Sequence, residues 1–159
     1  MAEFKTNVMR MLDKAKVNYK HYTYSETDAI SGIEVATVLK QNPLQVFKTL
    51  VTLGKSGQHY VFLIPVEKEL DLKKASIVVG EKSVSMLPSK ELLNLTGYIH
   101  GGCSPIGMKK QFPVIIDISA QQFSTIIFSA GKIGYQVEVL VLDLEEKMHY
   151  FFASIVGEK

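Results

Sequence analysis

Apolar positions recur at helical spacing near the start of the chain, where Val8, Leu12 and Ala15 share one face of a helix that opens at Thr6. A short extended piece follows over residues 19–24. Ser31-Gly-Ile-Glu34 then has the form of a capping box, with Ser31 as N-cap and Glu34 reaching back from the third helical position. The helix it opens carries Val35, Ala36 and Leu39 and stops before Pro43. Two strand-like runs, 46–53 and 59–66, come next, joined by the hairpin-type connection Gly54-Lys-Ser-Gly57. Asp71 opens a helix that ends near Gly80, and Ser89 opens another that ends near Gly97. After a glycine-rich loop, residues 114–118, 125–128 and 136–142 read as strands, and Asp143 begins a terminal helix. Strands cluster in hairpins and late runs rather than alternating strictly with helices. That pattern predicts an α+β fold with a mixed, largely antiparallel sheet curled toward a barrel.

No repeat, low-complexity tract or linker divides the 159 residues, so one domain spanning 1–159 is expected. Nearly half the residues are apolar and charges of both signs are interspersed, as in a globular chain. The net charge of +2 allows a nucleic-acid partner without demanding one, and Arg10 is the only arginine. No apolar run reaches the roughly 18 residues of a membrane span, and the opening Met-Ala-Glu-Phe-Lys-Thr has no apolar h-region. The expectation is a cytoplasmic protein with no membrane partner. A single cysteine, Cys103, rules out an internal disulfide, and four scattered histidines show no metal-ligand spacing. No metal and no cofactor is expected.

The clearest oddity is Lys48. Val46 and Leu50 share its side of the strand, while Phe47, Val51 and Leu53 share the other side with Thr49. A strand apolar on both faces is interior, so this lysine must snorkel to water, find a partner or serve as a cation in a pocket. In Gly101-Gly-Cys-Ser-Pro-Ile-Gly-Met-Lys-Lys110, paired glycines could bring backbone amides close to an oxyanion or phosphate, or the segment could be a plain connection. It lacks the form of a P-loop. Cys103 could be a nucleophile with His100 three residues away, or a small apolar filler. Phe128-Ser-Ala-Gly-Lys-Ile-Gly134 reads as a strand ending in a turn that exposes Ser129 and Lys132; Lys109 and Lys110 read as a solvated pair able to meet a phosphate backbone.

Three of these segments together, Val46-Phe-Lys-Thr-Leu50, the loop from Gly101 to Lys110 and Ser129-Ala-Gly-Lys-Ile-Gly134, resemble the YbaK/EbsC family of Cys-tRNA(Pro) editing proteins. These are relatives of the editing domain inserted in bacterial prolyl-tRNA synthetases. Leu70-Asp-Leu-Lys-Lys74 and Pro113-Val-Ile-Ile-Asp117 stand in the family's order, and the resemblance covers nearly the whole chain. It implies a barrel-like mixed sheet of six or seven strands with flanking helices, and removal of cysteine mischarged onto tRNA(Pro). It also implies aminoacyl-tRNA as substrate partner, with prolyl-tRNA synthetase as a second candidate partner. By the resemblance Lys48 is the essential lysine, Thr49 its polar neighbour, Gly101 and Gly102 the glycine loop, Ser129 the serine after the late strand and Tyr24 a pocket tyrosine. The family's substrate supplies its own thiol as nucleophile. Cys103, Met108, Ala130 and Gln136 depart from the usual aliphatic residue, glutamine, glycine and acid of the family. Two alternatives stay open: a deacylase for alanine or another small amino acid, and a non-catalytic module that binds tRNA or a synthetase.

Overall fold

The computed structural model describes residues 4–29, 31–146 and 148–157. Among them are four α-helices: α1 (Asn7–Lys14), α2 (Gly32–Val38), α3 (Leu72–Val79) and α4 (Ser89–Thr96). The first four strands are β1 (Tyr19–Thr23), β2 (Phe47–Gly54), β3 (His59–Pro65) and β4 (Val84–Met86). The last four are β5 (Val114–Asp117), β6 (Thr125–Ser129), β7 (Tyr135–Leu140) and β8 (Tyr150–Ala153). The helix starts follow the local chemistry read from the sequence. Thr6 accepts from the Met9 amide at 3.2 Å, Ser31 and Glu34 close both halves of the capping box, and Asp71 accepts from the amides of Lys73 and Lys74. No described helix is long and apolar enough to cross a membrane.

Strands β1, β7 and β6 form an antiparallel sheet in that order, and β4, β2, β3, β5 and β8 form a mixed one. In the second sheet β3, β5 and β8 run parallel, while β2 pairs antiparallel with both β3 and β4. An isolated parallel bridge from Val46 to Ile127 joins the sheets into a barrel-like wall. Its interior is filled by Phe47, Val51, Leu63, Ile116, Ile126, Phe128, Val137 and Val139, and α1 adds Val8, Met9 and Leu12 to the same core. The outer face of the five-stranded sheet is covered as well, with Ala75 of α3 on Phe62, Ile64 and Ile115. Burial on both faces is why β2 and β3 are apolar throughout rather than alternating.

Two expectations need correction. The helix expected from Asp143 is a 3-10 helix, Val141–Glu146, followed by strand β8. Tyr150 and Phe152 of β8 register with Val114 and Ile116, packing alternate aromatic rings against the interior and occupying the open edge of β5. That tertiary gain outweighs the helix preference of the acidic segment before it. Among the described residues there are eight strands, above the six or seven implied by resemblance, because β4 is a three-residue strand and β8 lies where the helix was expected.

Candidate active site

Strand β2 changes neighbours along its length. At Val46 the wall is closed by the bridge to β6, reinforced by the Ile127 amide donating to the Gln45 carbonyl at 3.1 Å. From Thr52 to Gly54 the same edge of β2 pairs with β4. Between these points, at residues 47–50, the edge of β2 faces a split between the two sheets.

Two residues beyond the bridge on each parallel strand come Lys48 of β2 and Ser129 of β6, level with one another. The antiparallel registers extend the row: Ser129 stands opposite Gln136 on β7, and Gln136 opposite Tyr22 on β1. Partners in register project to one side of a sheet. Lys48, Ser129, Gln136 and Tyr22 therefore lie on the outer face, where α2 packs Ala36 against Val46, Val66 and Ile127. A cation and three neutral hydrogen-bonding groups thus line one edge of a hydrophobic seam.

Lys48 is half-buried, and this desolvation holds its ammonium below the ordinary lysine range, with the Glu69 carboxylate acting in the opposite direction. Among the described residues no hydrogen bond or ion pair holds the Lys48 side chain. Its charge is available to a ligand. Ser129 accepts from the Gly131 amide at 3.1 Å, which fixes the hydroxyl oxygen and leaves its proton to donate. Gln136 is only 5% exposed; its Oε1 accepts from Gln41 Nε2 at 2.7 Å. The other end of that pair is incomplete, because Gln41 Oε1 is sealed from solvent with no partner. Beside it, Glu138 accepts from both Tyr22 and Thr125, and the Tyr22 phenol is pushed up to about 12, chiefly by that hydrogen bond. Glu138 therefore orders the strands next to the row and is already engaged.

Other expected site residues gather around the β6–β7 turn. The Tyr24 amide donates to the Gly134 carbonyl at 2.8 Å; the Tyr24 ring is buried and its hydroxyl makes no hydrogen bond among the described residues. The glycine loop leans on the same turn. A Cβ on Gly102 would sit 3.0 Å from the Ile133 backbone nitrogen, so close approach is what glycine provides here. The Gly102 N–H is already committed to the Ile99 carbonyl at 3.0 Å, so Gly102 shapes the site rather than donating to it. Gly101 takes φ +88 and faces the Ile133 side chain. Thr49 does not join Lys48: strand alternation turns it to the opposite face, where its Oγ1 is buried without a partner.

Cys103 packs in the main core, where burial pushes its thiol up to about 12 against a weaker lowering by Thr96. A thiol so disposed is a filler, not a thiolate nucleophile. A cavity of 460 Å³ opens elsewhere, at the start of β5 and β8, between Met11, Met108, Phe112, Met148 and Phe151. Lys110 and Met108 of the glycine-rich loop line it, whereas Lys48, Tyr24, Thr49, Gly101, Gly102 and Ser129 do not. The polar row includes Gln136 and Tyr22, which come together only through cross-strand register, and Gln41, which follows α2, reaches it by its hydrogen bond to Gln136. Alternation of Gln136 and Glu138 along β7 was the available sign of an outward polar face.

Comparison with known proteins bears on the family. Residues 27–147 match the model of the aminoacyl-tRNA editing domain. EbsC of Enterococcus faecalis, a candidate Cys-tRNA(Pro)/Cys-tRNA(Cys) deacylase, is 51% identical over 136 residues, covering 85% of this chain and 83% of EbsC. A proline–tRNA ligase of Kosmotoga olearia is 26% identical over 128 residues, which are 80% of this chain but 22% of the ligase. The crystal structure of a candidate trans-editing enzyme for prolyl-tRNA synthetase superposes with a TM-score of 0.82 at 21% identity, covering 98% of this chain and 100% of the other. On sequence and fold alike, the chain belongs to the aminoacyl-tRNA editing domain family, in its YbaK/EbsC branch.

Proposed function

We propose that this aminoacyl-tRNA deacylase acts in trans on cysteine mischarged onto tRNA(Pro), with the thiol of the esterified cysteine as the nucleophile. The observation that carries the mechanism is the makeup of the row. It offers one desolvated cation and neutral hydrogen-bonding groups, while the one protein thiol is buried with its pKa pushed up. Such a site is suited to holding and polarising an ester rather than attacking it.

In the proposed reaction the cysteine sulfur forms a bond to its own ester carbonyl carbon, and the bond from that carbon to the ribose oxygen breaks. The thiol proton passes to the ribose oxygen, leaving a free tRNA hydroxyl. The other product is a four-membered thiolactone, which water opens to free cysteine. Lys48 stabilises the negative charge that develops on the carbonyl oxygen, and the Ser129 hydroxyl and Gln136 carboxamide position the aminoacyl group. Tyr24, Gly101 and Gly102 bound the small-residue side of the pocket. Thr49 contributes through its backbone, its side chain being turned inward.

The enzyme works as a single domain in the cytoplasm. The match to about one-fifth of a prolyl-tRNA ligase supports a working partnership with that synthetase, which would supply tRNA identity. A deacylation panel of Cys-, Ala- and Pro-charged tRNA(Pro), with and without the synthetase, tests the assignment. Cleavage of the Cys ester alone is expected. Preferential cleavage of Ala-tRNA would replace the substrate, and no cleavage of any ester would leave a binding module.

A further inference from the structure

The β6–β7 turn has a second side. Beyond Ser129 and the contact with Gly102, it carries Lys132 and Tyr135 against Phe4, which lies just before α1. The Phe4 and Tyr135 rings stack at 4.8 Å between centroids with 31° between planes, and Lys132 Nζ sits 4.8 Å from the Phe4 ring centroid. Phe4 is 49% exposed although it belongs to a stacked pair, and Ile133 beside it is equally open.

A close aromatic pair beside an exposed ammonium is a composition by which proteins hold unpaired nucleotides. The ring takes the base and the lysine meets a phosphate. Exposed cation–π contacts are weak, about 0.5–1 kcal/mol, so Lys132 can leave the ring when a base arrives. The position is also apt. Lys132 is three residues from Ser129, at most roughly 10 Å along the chain, and the same turn backs onto Gly102.

We infer that Phe4, Tyr135 and Lys132 form a stacking subsite for an unpaired nucleobase of the tRNA 3′ tail, one or two nucleotides before the esterified one. The subsite rests on the tRNA-editing reading but concerns binding rather than chemistry. It gives a chain with one arginine and little net charge a grip on single-stranded RNA that needs no base-edge reading.

The test uses an uncharged RNA hairpin with an unpaired 3′ tail carrying 2-aminopurine at the penultimate position. Wild-type protein should quench its fluorescence. Phe4→Leu, which keeps an apolar cover but removes the flat ring, should abolish the quench and weaken binding about tenfold with an unchanged thermal midpoint. Lys132→Gln should keep the quench and reduce the salt dependence of binding by about one ion. With charged tRNA, Phe4→Leu should raise KM and spare kcat. Equal quenching and equal KM in wild type and Phe4→Leu would overturn the subsite. So would a Phe4→Leu variant that weakens binding of an abasic-tail RNA as much as it weakens binding of the 2-aminopurine RNA, because the ring would then not be acting on the base. Turnover by the wild-type enzyme bears on the editing reaction alone, so the two readings fail separately.

Discussion

The two ends of the five-stranded sheet differ in kind. Where β2 parts from β6, near the C-terminal ends of β3 and β5, the split is lined by Lys48, Ser129 and Gln136. At the other end, where β5 and β8 begin, the 460 Å³ cavity is walled mostly by methionine, phenylalanine and proline. The cavity lies at the second place and the polar row at the first. The difference lies in what the backbone leaves unfinished. The cavity wall is largely thioether and ring, with Lys110, Gln111 and His149 among its lining residues. The split holds a desolvated ammonium and a half-satisfied carboxamide pair, states that cost stability and that a ligand can relieve.

If that contrast is right, the largest effect comes from Lys48→Met. Single-turnover deacylation should fall at least about 100-fold, the scale of losing one preorganised charge-stabilising group. Stability in urea should rise by about 1 kcal/mol, because a desolvated cation is removed from the seam. The pH dependence has a definite sign. The Lys48 ammonium is held below its ordinary range, so the wild-type penalty is full below the folded pKa and is relieved as the folded protein loses its proton. The stability advantage of Lys48→Met should therefore be largest near neutrality and shrink as pH rises toward the unfolded lysine value of about 10.4. A wild-type rate in folded Lys48→Met would end the claim that the split is the reactive end.

Gln136→Glu sharpens the comparison. It keeps the shape of the side chain but sets a carboxylate in the same row as Lys48, which should draw the lysine pKa upward and move the alkaline limb of the rate profile to higher pH. The rate at neutral pH should fall about tenfold, since the positive charge is partly spent on the new partner. Gln136→Leu instead strands Gln41 and should cost about 1–3 kcal/mol of stability. The smallest effect is expected at the opposite end, where Met108→Leu in the cavity wall should leave the rate within about twofold.

Much of this was legible before any coordinates. Thr6, Ser31 and Asp71 mark helix starts because caps are local chemistry, and Lys48 stands out because its strand is apolar on both faces. What was not legible depends on partners distant in sequence. Strand β8 exists because β5 leaves an edge open beside Val114 and Ile116. The row containing Gln136 exists because β1, β7, β6 and β2 come into register at one level. Thr49, adjacent to Lys48 in sequence, is turned away from it by strand alternation. Gly102 looked like an amide donor, yet its N–H is taken by Ile99 within its own turn.

The central claim is that the protein supplies position and charge while the substrate supplies the nucleophile. Its most direct test is the single-turnover rate on one tRNA charged with cysteine, S-methylcysteine or serine. Thiols ionise near pKa ~8.5 and hydroxyls hardly at all, so self-attack should make Cys-tRNA react far faster than both analogues at saturating protein, where binding does not limit the rate. An enzyme that activates water would treat these esters within roughly one or two orders of magnitude of each other. A rate on Cys-tRNA several orders above that on S-methylcysteinyl-tRNA is the predicted result, and comparable rates on the two would contradict the account.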